Sequence, residues 1–359
     1  MTDSQAVALH RRAIVIDGHS DILIPVADGL CHLGKRASIP EPDEWSGLPG
    51  FQAATRPTPY QLSDYATWFG CAGQYDVPTF QQGGVTAQVV AIYIADSYLN
   101  RPVERALSLI SALHREIASN PDQLLLVRTH ADIEMAKAAA KTGLILSFEG
   151  AEPLGSTLEY LEAYYALGLR LVGLSHSRRN LWADGTQVDT QTGGLTSQGR
   201  ALVKRLNQLG IVIDLAHLSD NGFWEVLELS TAPPIVSHTS FTQYYHGYRA
   251  PWTEPSAATG TSKLRALAAQ GGVVGIIFWG QPDIKSVVDD ILRALDHAGD
   301  DHVGLGSDLF SREQAPAGLA DIGALPRLTE ALLRRGLRDD SVLKILGQNW
   351  LRVFREVIG

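Results

Sequence analysis

The sequence predicts one α/β domain folded as a (β/α)8 barrel. Eight short apolar runs recur along the 359 residues, and amphipathic helical segments lie between them. Most runs are apolar at consecutive positions, which is typical of parallel strands covered on both faces. Strand and helix alternating along residues 1–359 favours a single closed barrel. An open doubly wound sheet is the alternative, but no GxGxxG motif follows the first strand to support it.

The predicted elements follow from these two periods. Runs rich in Val, Ile and Leu predict strands at residues 13–16, 88–94, 144–148, 169–173, 211–215, 235–237, 273–278 and 303–306. Apolar residues at three-and-four spacing predict helices at 103–119, 158–167, 197–209, 221–229, 262–269 and 284–298. Ser197 and Asn221 are the expected N-caps, and Gly168 and Gly210 are expected to end their helices.

Three segments fit neither period and are predicted to be long loops. Residues 27–82 hold many of the prolines and are expected to form an excursion that packs over one end of the barrel. Residues 178–194 are polar and rich in glycine, and residues 244–260 contain aromatic residues, two prolines and one arginine. All three leave the C-terminal ends of predicted strands, where barrel enzymes place their active sites.

Composition excludes several classes of protein. The chain has 39 acidic and 30 basic side chains, a net charge of −9, and no basic cluster, which argues against nucleic-acid and anionic-membrane partners. Two cysteines, Cys31 and Cys71, exclude a disulfide framework and a cysteine-based structural zinc site. The N-terminus shows no secretory signal and no apolar run is long enough to cross a bilayer, so we expect a cytoplasmic protein.

Ionisable residues follow six of the eight predicted strands. The strand ends read Asp17-Gly-His19-Ser-Asp21, Phe148-Glu149-Gly150, Leu174-Ser-His176, Asp214-Leu-Ala-His217, Ser237-His238 and Gly306-Ser-Asp308. Each taken alone has an ordinary structural explanation, such as a loop histidine or a helix cap. A barrel, however, brings all six ends around one cavity, where such a cluster would be uncompensated without a cation.

The donor set indicates which cation. Imidazole and carboxylate without thiolate suit Zn²⁺, or Mn²⁺, Co²⁺ or Fe²⁺ according to supply. The number of ligands indicates two ions per chain: His19, Asp21 and Glu149 for one, and Glu149, His217 and His238 for the other, with Glu149 bridging. Such ions lie roughly 3.5–4 Å apart and share a water whose pKa falls to about 7.

These strand ends, in this order, resemble the renal (membrane) dipeptidase family. The likeness covers nearly the whole chain, from about residue 10 onward. It rests on the strand-end motifs together with Gly194-Leu-Thr-Ser-Gln-Gly199, Leu209-Gly-Ile-Val-Ile-Asp-Leu-Ala-His217, Pro234-Ile-Val-Ser-His238, Gly271-Gly-Val-Val and Gly347-Gln-Asn349. The resemblance implies an amidohydrolase-like barrel with a binuclear zinc site on the same ligands.

The resemblance also implies roles for other residues. His176 matches the histidine that binds the scissile carbonyl oxygen, and Arg249 matches the arginine that holds the substrate's C-terminal carboxylate. Asp308 matches the carboxylate that takes a proton from the bridging water and passes it to the leaving amine. Trp279 falls in the substrate-binding region, where the family commonly has a tyrosine. Because the residues around the predicted substrate position depart from the family pattern, the sequence supports the type of reaction better than the identity of the substrate.

The activity expected is hydrolysis of a dipeptide, with L-Xaa-D-Xaa dipeptides the first to try. An N-acyl amino acid hydrolase is an alternative on the same site. A lactonase-like amidohydrolase is a further one, although such barrels usually bridge their metals with a carbamylated lysine and no Lys follows a strand here. A non-catalytic binding protein of the same fold is the alternative from another class. The partner expected is a small molecule, and a homodimer is left open.

Overall fold

Parallel strands form a closed barrel in the computed structural model, which describes residues 3–37, 73–188, 193–241, 260–310 and 314–359. The strands are β1 Ile16–Asp17, β2 Ala87–Tyr93, β3 Leu124–Leu126, β4 Thr142–Glu149, β5 Leu169–Gly173, β6 Val212–Asp214, β7 Ile235–Thr239, β8 Val273–Ile276 and β9 Val303–Leu305. Each pairs in parallel with its neighbour, and β1 pairs with both β2 and β9. Pairing of β2 with β4 completes the ring, so eight strands form the predicted (β/α)8 barrel.

The strand β3, which lies outside the eight-stranded ring, was not predicted. It pairs with the first residues of β4, from Thr142 to Leu144, ahead of the segment of β4 that pairs with β5. A run of three leucines is too short to stand out as a strand, and only its partner on β4 defines it. The first strand is also shorter than predicted, since only Ile16 and Asp17 enter the ladder.

Helices surround the barrel. They span Asp3–Arg12, Leu23–Ala27, Val77–Gln82, Pro102–Ser119, His130–Ala138, Tyr160–Leu167, Ser197–Leu209, Asp220–Leu229, Gly260–Ala269, Ile284–Ala298, Leu325–Arg334, Asp339–Leu343 and Asn349–Ile358. The expected N-caps Ser197 and Asn221 are wrong. Thr196 and Ser219 are the caps, because their side chains accept from the amides of Gly199 and Gly222.

Both glycine stops are confirmed. Gly168 and Gly210 adopt left-handed backbone with φ of 115° and 66°, a conformation that costs an L-residue with a side chain about 1–2 kcal/mol. Each ends its helix directly before or close to the next strand, which fixes where β5 and β6 begin.

The C-terminal helix packs against the strands from the end opposite the ionisable residues. Trp350 and Phe354 are fully buried and join a cluster with strand residues such as Ile16 and Val273. The Trp350 indole donates to the Leu305 carbonyl at 3.1 Å. This packing leaves the C-terminal ends of the strands as the place for a site.

The predicted excursion at residues 27–82 is described only in part. Residues 38–72 lie outside the described residues, so its packing over the barrel stays a prediction. Of the described portion, the helix Val77–Gln82 has a capping box on Asp76, and the fully buried Tyr75 precedes it. Within the described ranges, no helix has the length and apolarity needed to span a membrane.

Candidate metal centre

The strand-end side chains converge at one end of the barrel. His19 and Asp21 follow β1, Glu149 is the last residue of β4, and His176 follows β5. The remaining members of the cluster lie at the ends of the next strands: His217 after β6, His238 within β7 and Asp308 after β9. The fold thus brings the predicted site residues together at the C-terminal ends of the strands, while the role of each residue stays a prediction.

One carboxylate oxygen lies at the centre of the cluster. The Oε1 atom of Glu149 lies 3.1 Å from Nε2 of His217, 3.6 Å from Nε2 of His19, and 3.8 Å from Nε2 of both His176 and His238. Nitrogen atoms from four strands therefore surround a single carboxylate oxygen. A carboxylate oxygen surrounded by imidazole nitrogens in this way can serve as a metal ligand.

Two further carboxylates complete the cluster. Nε2 of His19 lies 3.8 Å from Asp21 and 3.7 Å from Asp308, and Nε2 of His238 lies 3.9 Å from Asp308. In the part of the chain that the structure describes, three overlapping sets have ligand atoms within 4.8 Å of one another and could hold an ion: His19, Glu149 and His238; Glu149, His176 and His217; His19, Asp21 and Asp308.

Orphaned polar atoms show that these residues fit a metal. Among the described residues, Nε2 of His19 and Oδ1 of Asp21 are buried and have no hydrogen-bond partner. A buried nitrogen or oxygen without a partner is costly, and a cation between them would satisfy both. Imidazole with carboxylate is also the donor set that zinc accepts.

Mutual electrostatics set the protonation of the cluster. Burial alone would raise the pKa of Glu149, but His19 and His176 hold that pKa well below its usual range. Burial would lower the pKa of His19, yet Glu149 and Asp308 raise it well above the ordinary value. The surrounding carboxylates therefore stabilise positive charge at His19, and metal binding there would displace the proton.

The pKa values of Asp308 and His176 shift in the opposite directions to those of Glu149 and His19. Burial raises the pKa of Asp308 well above its usual range, with Asp21 adding to the shift against the effect of His19. Burial and the neighbouring His217 lower the pKa of His176 to about 3, which leaves the ring neutral at physiological pH. A neutral imidazole can donate one hydrogen bond to an oxyanion, and a carboxyl that binds protons readily suits proton transfer.

The backbone is strained at two members of the cluster. His217 and Asp308 have positive φ angles of 60° and 46°, which is rare for residues with a side chain. Each such residue costs of order 1–3 kcal/mol and persists only when its surroundings enforce it. The His217 carbonyl accepts from the amide of Thr186 at 2.9 Å, so the loop after β5 holds this conformation.

Buried carboxylates behind the cluster support it. Asp214 accepts from the amides of Ala216 and Ser237 at 3.0 and 2.9 Å, and the Ser237 hydroxyl lies 2.9 Å from Nδ1 of His238. Such contacts fix the ring so that Nε2 faces the site. Sequence reasoning did not assign a role to Asp214, although a carboxylate within an apolar strand signalled one.

Asp17 is a second support that had no predicted role. It is fully buried, accepts from Ser307 N at 2.7 Å and Ser307 Oγ at 2.6 Å, and accepts from Gln88 Nε2 at 2.7 Å. It therefore links β1, β2 and the turn that carries Asp308.

The family model for membrane dipeptidases, peptidase family M19, matches residues 3–358. The chain belongs to this family. The resemblance predicted from the strand-end motifs is confirmed, and the barrel and its histidine and carboxylate cluster can be described as those of an M19 protein.

Two relatives of this chain are named as dipeptidases. Dipeptidase tcpJ of Claviceps purpurea is 28% identical over 305 residues, which are 80% of this chain and 70% of that protein. Dipeptidase verJ of Clonostachys rogersoniana is 32% identical over 255 residues, which are 69% of this chain and 64% of that protein. A solved metallopeptidase, dipeptidase AC, is 25% identical, with a TM-score of 0.75 over 97% of this chain and 99% of that one.

The substrate region of this M19 chain is described only in part. Arg249 lies outside the described residues, so its predicted role is untested. Trp279 follows β8, forms an edge contact with Phe310 at 5.4 Å between ring centroids, and donates to Gln314 at 2.8 Å. It therefore lies beside the turn that carries Asp308, and its part in binding stays a prediction.

Two arginines after His176 are engaged by the protein. Arg178 donates to Glu152 at 3.0 Å and to Asp96 at 2.8 Å, and Arg179 pairs with Asp184. Tyr93, whose hydroxyl also accepts from Arg178, packs its ring 4.7 Å from that of His176. The sequence analysis did not predict that Tyr93 lies beside the cluster, because the last residue of an apolar strand resembles a core residue.

Proposed function

We propose that the protein is a zinc-dependent dipeptidase that hydrolyses the amide bond of dipeptides, with two zinc ions per chain. The observation that carries the proposal is the convergence of four imidazole nitrogens on one oxygen of Glu149. Membership of the membrane dipeptidase family supports the reaction, and two relatives named as dipeptidases support the substrate class.

The ions would be held by His19, Asp21, Glu149, His217 and His238, with Glu149 between them. When bound, they would supply a water of lowered pKa and would polarise the scissile carbonyl. The remaining roles belong to this chain's own side chains.

Proton transfer and oxyanion binding are assigned to two residues. Asp308, whose carboxylate reaches 3.7 Å from His19 and 3.9 Å from His238, accepts the proton of the attacking water and gives it to the departing amine. His176, a neutral ring at the mouth of the cluster, donates to the carbonyl oxygen as negative charge develops there. Arg249 binds the substrate carboxylate, a role that rests on the family resemblance.

The proposal is tested with zinc-loaded protein and a library of L-Xaa-L-Xaa dipeptides, L-Xaa-D-Xaa dipeptides and N-acyl amino acids. Dipeptide turnover that is lost on chelation and in His238→Ala is the expected result. His114→Ala is the matched control, because that ring bonds to the Leu167 carbonyl on the outer helix layer. Turnover that survives His238→Ala, or that needs no metal, would overturn the proposal, and turnover confined to acylated amino acids would favour that alternative.

The role of Arg249 has its own test. Replacing Arg249 by Met should raise KM strongly for dipeptides and much less for their C-terminal amides, which lack the carboxylate. Equal increases for both substrates would exclude carboxylate binding by this side chain.

A further inference from the structure

Asp308 needs support to keep its orientation. Its φ of 46° is a left-handed conformation that an aspartate adopts only at a cost, and its carboxylate is the member of the cluster nearest to β9. A residue in this conformation relaxes unless the backbone on both sides is held. The residues to examine are therefore its neighbours, Ser307 and Leu309.

Both neighbours are bonded to one buried chain of groups. The amide of Leu309 donates to the Tyr75 hydroxyl at 2.7 Å, and that hydroxyl lies 2.6 Å from Oγ of Ser307. The Ser307 hydroxyl in turn donates to Asp17 at 2.6 Å. Because the single hydroxyl proton of Ser307 goes to Asp17, Tyr75 must donate to Ser307.

The Tyr75 hydroxyl thus joins the two sides of Asp308. Asp17 already holds Ser307 through its amide and its hydroxyl. The contact from Tyr75 to the Leu309 amide is what extends this hold across the strained residue. Tyr75, Ser307 and Asp17 are all fully buried, so these bonds are made without competition from solvent.

We propose that Tyr75 is a positioning residue for Asp308: its hydroxyl closes a hydrogen-bonded loop around the strained residue and aims the carboxylate at the metal cluster. The inference rests on the proposed function, in which Asp308 transfers the proton. Tyr75 is fully buried and accepts a hydrogen bond from the amide that follows Asp308, so we expect it to affect the chemical step and not substrate binding.

The test is Tyr75→Phe, which removes one oxygen and keeps the ring. With zinc-loaded enzyme and the best dipeptide of the library, kcat is expected to fall about tenfold, a part of the 10²–10⁴ that general acid–base catalysis contributes. KM should stay within about twofold, since uniform binding is untouched. Zinc content should not change, and the amide of Leu309 should exchange its hydrogen several-fold faster.

Tyr164→Phe is the matched control. Tyr164 is also buried, and its hydroxyl donates to the Pro153 carbonyl at 3.0 Å, away from Asp308. It should lose a comparable hydrogen bond while keeping kcat and the exchange rate at Leu309. If Tyr75→Phe fails to fold, Ser307→Ala breaks the same loop at its other hydroxyl and is expected to lower kcat in the same way.

The outcomes separate this inference from the proposed function. An active parent enzyme whose Tyr75→Phe variant keeps kcat, or keeps slow exchange at Leu309, overturns the inference alone. Equal losses of kcat in the Tyr75 and Tyr164 variants overturn it as well, since any buried hydroxyl would then matter. A parent enzyme that hydrolyses no dipeptide overturns the proposed function, and the inference falls with it.

Discussion

The Ser237 hydroxyl is expected to control how tightly the site binds zinc. It lies 2.9 Å from Nδ1 of His238, and the backbone amide of the same residue donates to the Asp214 carboxylate at 2.9 Å. For Nε2 to present its lone pair to the cluster, Nδ1 must carry the ring proton, and the Ser237 hydroxyl then accepts that proton. This arrangement selects the tautomer whose Nε2 lone pair faces the cluster.

Ser237→Ala removes this control with little other change. The Ser237 amide still donates to Asp214 at 2.9 Å, so the path of β7 is kept. What is lost is one buried hydrogen bond to the ring and the tautomer preference that goes with it. We expect zinc affinity to fall about tenfold, the lower end of the 10–100-fold range for residues that orient metal ligands, or about 1.4 kcal/mol.

The assay is competition for zinc against a chelator of known affinity, with thermal unfolding measured in parallel. Ser20→Ala is the matched control, because Ser20 is buried beside His19 but its hydroxyl donates to the Val89 carbonyl at 3.0 Å instead of to a ring. Equal weakening in both variants, or unchanged affinity in Ser237→Ala, would refute the reasoning.

Three further predictions follow from named contacts. Metal analysis should show that Glu149→Gln loses most of its bound zinc, because the substitution removes the negative charge at the centre of the cluster. The control Glu152→Gln should retain its zinc, because the Glu152 carboxylate pairs with an arginine. Equal zinc retention in the two variants would contradict a bridging role for Glu149. Burial lowers the pKa of His10, so below about pH 6.5 the unfolded chain binds more protons than the folded chain. The free energy of unfolding should therefore decrease as the pH is lowered in this range, by up to about 1.4 kcal/mol per pH unit. Urea titrations should show a smaller fall for His10→Gln, and parallel pH profiles would refute the assignment. Gly306→Ala should cost about 1–3 kcal/mol in the same titrations, because a Cβ there would overlap the Ser237 carbonyl, and an unchanged midpoint would show that the strands can separate cheaply.

Local patterns predicted six of the thirteen α-helices in the described residues, and they predicted the C-terminal end of each barrel strand to within two residues. The helix Ser197–Leu209 and the helix Ile284–Ala298 match their predictions residue for residue, because amphipathic spacing and stop signals lie within each segment. The cluster could be located because every parallel strand of a barrel ends on the same side. The helix Asp3–Arg12 was not predicted, and its His10 is buried, with ring nitrogens 2.7 Å from the Thr329 hydroxyl and 2.8 Å from the Gly83 carbonyl.

What sequence could not show is contact between distant segments. The hydroxyl of Tyr75 reaches Ser307 across a separation of 232 residues, and no local pattern links the two. The strand β3 is defined by its partner, and the supporting roles of Asp17 and Asp214 appear only once their donors on other strands are known. Sequence motifs predict which side chains face a ligand, whereas the tertiary structure is needed to identify the groups that hold those side chains in place.

These supporting groups determine what metal removal should do. Burial raises the pKa of both Asp17 and Asp214, and hydrogen-bond donors offset that cost: Ser307 and Gln88 for Asp17, and Ser237 and Ala216 for Asp214. The ligands are therefore aimed by the barrel and not by the cation, unlike sites whose folding depends on metal. Chelation should abolish metal binding while leaving far-ultraviolet circular dichroism unchanged. Any fall in the unfolding temperature should then be recovered as zinc is added back, following the mass-action dependence of a ligand that binds only the folded state. Collapse of the secondary structure on chelation would show instead that the cation organises the cluster.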